Sequence, residues 1–438
     1  MKILLLSPTI YDRNKNLIKQ KRVWLPGLTL PYLAALTPED SEIRILDETT
    51  EEIPFDEHWD LVGMTSVGAS IIRAWEIADQ FRKGGTSVVL GGISATLAGY
   101  EPNKDHCDAL VLGEADGVWT QVIEDAREKR LKPVYEGTRP DLENTPIPRY
   151  DLFNKSKIGF WMPVQASRGC VHSCPFCSVA SFYCSTYRTY PLEKVVESVE
   201  FIKKLGYNHI TIIDDSIGSD ISFLEALSKV LIPLKIKWMS QCTLTIAEHP
   251  EVLEVMARSG CTMLSIGIES VLPESLQSIN KHFNHPDKYK DHIAAIRKFG
   301  IDISTEMMIG LDGDDDGIYK AFYDFIMHNK ISVPRIFIVT PIPGTPLYDD
   351  WLKEGRIFDF NVEHYTGSQL VFHPKGMTRE GLEDNYWQLY ERLFTVPAIL
   401  SRYFRSRPAR GLLSNIFALG ANFHYRKHIQ KRIPPGIV

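Results

Sequence analysis

No stretch of this sequence approaches the ~20 consecutive apolar residues that cross a bilayer as a helix. The opening run, Met1-Lys2-Ile3-Leu4-Leu5-Leu6-Ser7-Pro8, is too short for the apolar region of a signal peptide and reads as a first β-strand. Cysteine is sparse and odd in number, seven in 438 residues, which argues against a disulfide framework and for reduced thiols in the cytoplasm. Positive charge is not in excess either. A net charge of −6 supplies no global field for nucleic acid, so a nucleic-acid partner is not expected. Internal repeats and low-complexity tracts are absent, which sets aside solenoids and disordered linkers as the main architecture.

What is present is ordinary globular composition, 44% hydrophobic and 24% charged, in a chain long enough for two or three domains. Up to residue 135, apolar runs at Ile3–Ser7, Ile43–Leu46, Leu61–Ser66, Val88–Leu90 and Ala109–Leu112 alternate with helical segments, the pattern of a parallel α/β sheet. The segment Ser70–Lys83 carries Ile71, Ala74, Trp75 and Ala78 at a helical period, and Gly84-Gly85 ends it. Ligands of such sheets sit beyond the carboxyl ends of the strands. There Thr65-Ser66, Gly91-Gly92-Ile93-Ser94 and Gly113-Glu114 converge; plain tight turns are the alternative reading. Residues 136–160, with Pro140, Pro146 and Pro148, read as a linker.

A second alternating series occupies 161–350. Its strand candidates are Val164–Ser167, His209–Asp214, Lys237–Cys242, Met263–Ile268, Ser304–Ile309 and Arg335–Thr340. Helical segments such as Leu192–Leu205, Pro250–Ser259, Asp287–Phe299 and Tyr319–His328 lie between most of them. Six β/α units imply a parallel barrel, whole or partial, with its site at the C-terminal strand ends. Cys170, Asp214-Asp215, Glu269 and Gly310 all fall there. Residues 351–438 read as helical: Arg379–Phe394 is amphipathic, and Arg392 to Val438 holds nine Arg or Lys and no Asp or Glu.

The chemistry-bearing run is Arg168-Gly169-Cys170-Val171-His172-Ser173-Cys174-Pro175-Phe176-Cys177, with thiols at i, i+4 and i+7. Pro175 and Gly169 favour a loop over a helix, and a loop can turn three thiolates inward around an inorganic core. Thiolates ligate iron–sulfur clusters, which usually take four; three leave one iron open. Cys184 is the nearest spare thiol for the fourth place. A zinc site of three cysteines with His172 is the competing metal reading. Cys107, Cys242 and Cys261 lie in or beside apolar runs and read as small buried hydrophobes. The acidic run Asp312 to Asp316 reads as a solvated loop.

The Cys-x-x-x-Cys-x-aromatic-Cys pattern, with Phe176 as the aromatic, resembles the signature of the radical S-adenosylmethionine (SAM) superfamily. Three downstream segments resemble that family's SAM contacts: Asp214-Asp215-Ser216 for the amino acid moiety, Ser265 to Ser270 with Glu269 for the ribose, and Met308 to Gly313 around Gly310 for the adenine. Relatives usually carry Pro where Asp312 stands, and Thr340-Pro341-Ile342-Pro343-Gly344-Thr345-Pro346-Leu347-Tyr348 resembles a block near the last barrel strand. The first 135 residues resemble the Rossmann-like cobalamin-binding domain of one subgroup, without the Asp-x-His-x-x-Gly motif that gives cobalt a histidine ligand. The stretch Val371 to Trp387 resembles a helical extension found in a subset, some members of which methylate lipids.

The resemblance implies a [4Fe–4S] cluster on Cys170, Cys174 and Cys177, SAM, and cobalamin held by Thr65, Ser66, Gly91, Gly92, Ser94, Gly113 and Glu114. It implies reductive cleavage of SAM to a 5′-deoxyadenosyl radical and methylation of an unactivated carbon. Rearrangement, ring closure or oxidation with the same cofactors is the alternative, and a non-catalytic cofactor-binding regulator is a third reading. Asp214 or Asp215 would receive the SAM ammonium, or else cap the next helix. Glu269 would accept from the ribose hydroxyls, or else be the buried partner of an Arg or Lys. The expected partners are a small-molecule or lipid-like substrate and an electron donor such as flavodoxin or ferredoxin. The basic tail is either a solvated helical face or, through Leu412–Leu419, a peripheral membrane contact.

Overall fold

The computed structural model describes residues 1–406 and 412–434. Its first sheet has six parallel strands: β1 (Lys2–Ser7), β2 (Glu42–Asp47), β3 (Leu61–Thr65), β4 (Ser87–Gly91), β5 (Ala109–Leu112) and β6 (Val134–Glu136), in spatial order β2-β1-β3-β4-β5-β6. The order reverses between β1 and β3, which makes the carboxyl ends of those strands the crevice of the sheet. Ile3, Leu4, Leu5 and Leu6 are all fully buried, because helices cover both faces. Leu4 and Leu6 join the core on one side, and Ile3 and Leu5 the core on the other. Helix Ser70–Lys83 coincides with its sequence expectation; it buries Ile71, Ala74, Ile77, Ala78 and Phe81.

The second sheet is also six-stranded and parallel. It contains β7 (Trp161–Val164), β10 (His209–Ile212), β11 (Lys237–Cys242), β12 (Cys261–Glu269), β13 (Asp302–Ile309) and β14 (Val333–Ile338), in order β14-β13-β12-β11-β10-β7. The short hairpin β8 (Ser167–Gly169) with β9 (Tyr187–Thr189) stands apart. This is the expected partial barrel. Along β12, Leu264, Ile266 and Ile268 are buried, whereas the alternating Ser265 and Gly267 are half-buried and line a cavity.

Four expectations shift. The first barrel strand is Trp161–Val164 rather than Val164–Ser167, and the last begins at Val333 rather than Arg335. Pro163 and Pro334 obscured both; each lies in an outermost strand of the open barrel, where a missing N–H is tolerated. The expected linker begins inside β6, and its Leu142, Tyr150 and Ile158 are buried in the barrel core. The acidic run is not a free loop: Asp314 is buried and accepts from the Gly310 and Leu311 N–H groups (2.9 and 3.1 Å) and the Ser275 hydroxyl. Asp312 is engaged too, 2.7 Å from Arg356 and 2.9 Å from Lys375.

Beyond the barrel, helix Leu382–Leu393 covers the β14 edge. The Tyr390 hydroxyl accepts from Ile336 N–H at 2.6 Å and donates to Ile336 C=O at 2.7 Å, satisfying groups an edge strand leaves open. In helix Leu412–Ile429, Asn422 donates to Ser332 C=O at 2.9 Å. Within the segment read as membrane-facing, Ile416 is exposed, Ala418 is buried, and Leu419 packs on the barrel core. The rest of that segment's side chains, and residues 407–411 and 435–438 of the basic tail, lie outside the described residues. Among the described residues no helix is long and apolar enough to cross a membrane. Fully buried Phe372 roofs Gly310, whose φ of +98° excludes most side chains and whose added Cβ would stand 2.9 Å from the ring. Phe372→Ala is expected to cost ~3–5 kcal/mol, read as a lowered midpoint of thermal unfolding.

Candidate functional site

The loop 170–186 is clasped at its base by β8 and β9 and carries all three motif cysteines. Cys170, Cys174 and Cys177 line one cavity of about 180 Å³ together with Asp215, Ser216, Gly267, Glu269 and Lys281. Cys177 N–H bonds Cys174 C=O at 3.1 Å, the turn that brings these two thiols round. Pro175 C=O accepts from Leu347 N–H at 2.9 Å, so the block after the last strand holds the loop from outside. Burial pushes the Cys174 thiol up to about 12 and raises Cys177 as well, while the nearby Lys281 ammonium pulls Cys174 down. Such thiols stay protonated until a cationic centre binds.

Among the described residues no three His, Cys, Asp or Glu side chains are gathered for a single metal ion. The cysteines instead rim a cavity, as a polynuclear core requires. His172 lines the same cavity, with its ring stacked on Phe283 at 4.1 Å. Cys184 is exposed and receives a 2.6 Å hydrogen bond from Arg139, away from the three. Cys184→Ala is therefore expected to leave iron and acid-labile sulfide per chain unchanged.

The two adjacent aspartates part company. Asp214 is 1% exposed and accepts from Ala166 N–H (2.8 Å) and the Ser167 hydroxyl (2.6 Å), so it ties the β10 end to the cysteine loop. Asp215 lines the cavity and accepts the Gly169 N–H at 3.0 Å through Oδ2. Burial raises them to about 7 and about 6, and a cation beside Asp215 would restore its charge. Neither caps a helix; Asp220 caps Ile221–Leu231 through Phe223 N–H. Ser216 Oγ is buried in the cavity wall without a partner, an orphan that a bound polar ligand would satisfy.

Glu269 is the strained member. Its φ is +59°, and the β12–β13 register shifts between Gly267 and Glu269. A bulge with left-handed backbone at a non-glycine residue re-aims a side chain at a cost. The carboxylate accepts from Lys281 Nζ at 2.6 Å, and both residues are buried. Gly267 leaves that pair its room: an added Cβ would stand 2.6 Å from Glu269 Oε1 and 2.9 Å from Lys281 Nζ. So the buried-partner reading of Glu269 holds, while the residue also lines the cavity. Lys281 had no sequence signal, lying in the irregular stretch after helix Pro273–Ser278.

A second chamber of about 640 Å³ adjoins the first, and Phe176, Glu269 and Glu306 line both. Its walls come from the ends of the first sheet (Ser94, Leu97), from the barrel (Met308, Phe337) and from the C-terminal region (Tyr365). No histidine is among its lining residues. Helix Ile93–Ala98 packs on helix Ser178–Phe182 of the cysteine loop, which brings the two halves of the site together.

The other sequence-designated residues fall as follows. Ser94 lines the chamber. Thr65 lines a separate cavity of about 150 Å³ with Ser7 and Asp47, at the crevice of the first sheet. Ser66, Gly91 and Gly92 build the strand-end turn, with Ser66 N–H bonded to Gly91 C=O and Gly92 backed against Thr65 and Ser66. Gly113 N–H bonds the Thr96 hydroxyl at 3.0 Å. Glu114 is buried between Arg168 and Arg188, with both carboxylate oxygens engaged. Gly310 lies under Phe372 and outside the cavity wall, and Glu306 and Met308 take the places facing inward.

Residues 164–326 match the radical SAM superfamily. Bacteriochlorophyllide d C-12(1)-methyltransferase of Chlorobaculum tepidum is 29% identical, over 92% of this chain and 89% of its own length. Two solved structures share the fold: TsrM of Kitasatospora setae, a radical SAM methyltransferase with cobalamin and a [4Fe–4S] cluster bound, and the cobalamin-dependent enzyme OxsB with aqua-cobalamin. The TsrM match has TM-score 0.64 and 16% identity, covering 81% of this chain and 78% of TsrM. The OxsB match has TM-score 0.68 and 14% identity, covering 98% of this chain and 71% of OxsB.

Proposed function

The chain belongs to the radical SAM superfamily, and from that premise we propose that it is a cobalamin-dependent radical SAM methyltransferase acting on an unactivated carbon of an extended, largely apolar small molecule. The carrying observation is the shared wall: Phe176, Glu269 and Glu306 separate a polar, cysteine-rimmed cavity from a larger apolar chamber. When bound, the cofactors supply a reducing electron, a 5′-deoxyadenosyl radical and a transferable methyl group.

The chain's own residues do the positioning. Cys170, Cys174 and Cys177 hold the cluster. Asp215 takes the SAM ammonium and Ser216 Oγ a further polar atom of the amino acid moiety, while Asp214 holds the loop behind them. Glu269, fixed by Lys281, presents its second oxygen to the ribose. Ser94 and Thr65 contact the corrinoid, the turn residues Ser66, Gly91, Gly92 and Gly113 shape its bed, and Gly310 keeps the roof over β13 close. The largely apolar walls of the chamber suit a ring system or lipid-like body. A one-electron donor such as flavodoxin or ferredoxin would supply the electron.

Two measurements test this reading. Protein handled anaerobically, incubated with hydroxocobalamin and desalted, should retain one corrinoid per chain by absorbance. Turnover should then yield S-adenosylhomocysteine alongside 5′-deoxyadenosine. 5′-Deoxyadenosine without S-adenosylhomocysteine would move the assignment to rearrangement, cyclisation or oxidation.

A further inference from the structure

The hairpin that closes the cysteine loop has an electrostatic flaw. β8 and β9 pair antiparallel with Arg168 directly opposite Arg188. Like charges facing one another across two strands destabilise the pair, and this pair has only three residues on each side. Neutral partners, Tyr190 for Arg168 and the Pro140 carbonyl for Arg188, take one N–H each, and the compensating negative charge comes from the segment after β5. Glu114, just beyond β5, accepts from Arg168 through Oε2 at 2.6 Å and from Arg188 through Oε1. Asp116 adds a contact to Arg168 at 2.9 Å, and the Tyr32 hydroxyl donates to Asp116. The Arg168 guanidinium lies over the Tyr32 ring at 5.0 Å and the Tyr190 ring at 5.5 Å. Glu114 is 7% exposed and Arg168 5%. One buried and one half-buried carboxylate just beyond β5 thus serve two arginines at the neck of the cysteine loop.

We propose that Glu114 and Asp116 are positioning residues that hold the neck of the cysteine loop shut, so that the loop takes its ligand-bearing shape only with the N-terminal sheet docked on the barrel. Charge-assisted bidentate contacts supply direction as well as strength. Helix Ile93–Ala98, whose Ser94 lines the chamber, packs on the same loop, so the docked sheet touches it at two points. The inference rests on the reading of Cys170, Cys174 and Cys177 as cluster ligands, but its test does not need the cluster.

The test is amide hydrogen exchange of the full-length chain without cofactors, following residues 165–190 with β11–β13 as internal reference. E114Q should speed exchange across 170–186 about tenfold or more, leaving the reference unchanged. E114Q/R188Q should restore most of the protection, since Asp116 then faces the single remaining guanidinium. Reconstituted E114Q should also show a diminished change in the reduced-cluster electron paramagnetic resonance spectrum on adding SAM. If E114Q does not fold, E114D, which keeps the charge one methylene short, is read in its place and should open the loop to a smaller extent. Unchanged exchange in the variant read overturns the proposal, and so does a double variant as fast as E114Q. A chain that behaves as expected in exchange yet never cleaves SAM would sink the functional reading and leave this one standing.

Discussion

Alanine at Cys170, Cys174 or Cys177, one at a time, is expected to bring 5′-deoxyadenosine formation to the no-enzyme background. Iron and sulfide per chain should fall with it, while far-ultraviolet circular dichroism stays that of the parent. All three losses should be equally complete. Cys184 is no substitute ligand, being exposed beside Arg139, and the His172 ring is engaged in stacking on Phe283. The fold should survive because the loop is fixed by other groups: the β8–β9 clasp, Asp214 on Ala166 and Ser167, and Leu347 on Pro175. A variant that kept its iron and its 5′-deoxyadenosine would remove that cysteine from the ligand set.

Replacing Lys281 by Met should damage both stability and SAM binding. It leaves Glu269 buried opposite nothing, and breaking one side of a buried ion pair costs ~3–5 kcal/mol. For a domain of this size that is a drop of roughly 10 °C in the barrel's melting temperature. Burial already holds the Glu269 carboxyl above its ordinary range, with Lys281 pulling it down, so removing the lysine raises it further. A carboxyl with a raised folded pKa loses stability as pH climbs from its unfolded value through its folded one. K281M should therefore be hurt less at acid pH than at pH 8. Adding Glu269→Gln should recover most of the melting temperature, since a neutral buried group no longer lacks a counter-charge. SAM affinity should not recover with it. Recovery of both would make Glu269 a purely structural partner and end its ribose role.

The chemistry was legible because it is contiguous: three cysteines within eight positions need no tertiary information to be seen together. Strands buried on both faces were legible for a similar reason, since β1 and β4 are near-continuous apolar runs. Legibility ended where a residue's meaning depends on a distant partner. The outer strands at Trp161 and Val333 carry prolines that local rules read as breaks, and only their edge position makes them tolerable. Glu114 read as a ligand-facing carboxylate because it follows a strand-end glycine, yet its partners are Arg168 and Arg188, far along the chain. Asp314 looked solvated amid neighbouring acids, although it closes the turn after β13. Lys281 offered no pattern at all, because one lysine in an irregular loop resembles any other until Glu269 lies beside it.

The chamber's walls carry a consequence for how the protein is made. They are drawn from residues 68–102, from Phe176 and Glu269, and from residues 306–348 and 362–367, and Phe372 roofs the strand end beside them. A chain that has left the ribosome only as far as residue 340 holds every strand of both sheets. It still lacks one side of the chamber and the helix whose Tyr390 seals the β14 edge. Domains emerging early fold early, so the first sheet waits with its crevice open while translation continues. A prematurely terminated chain would present an unsealed barrel edge to its neighbours in place of a completed reaction chamber.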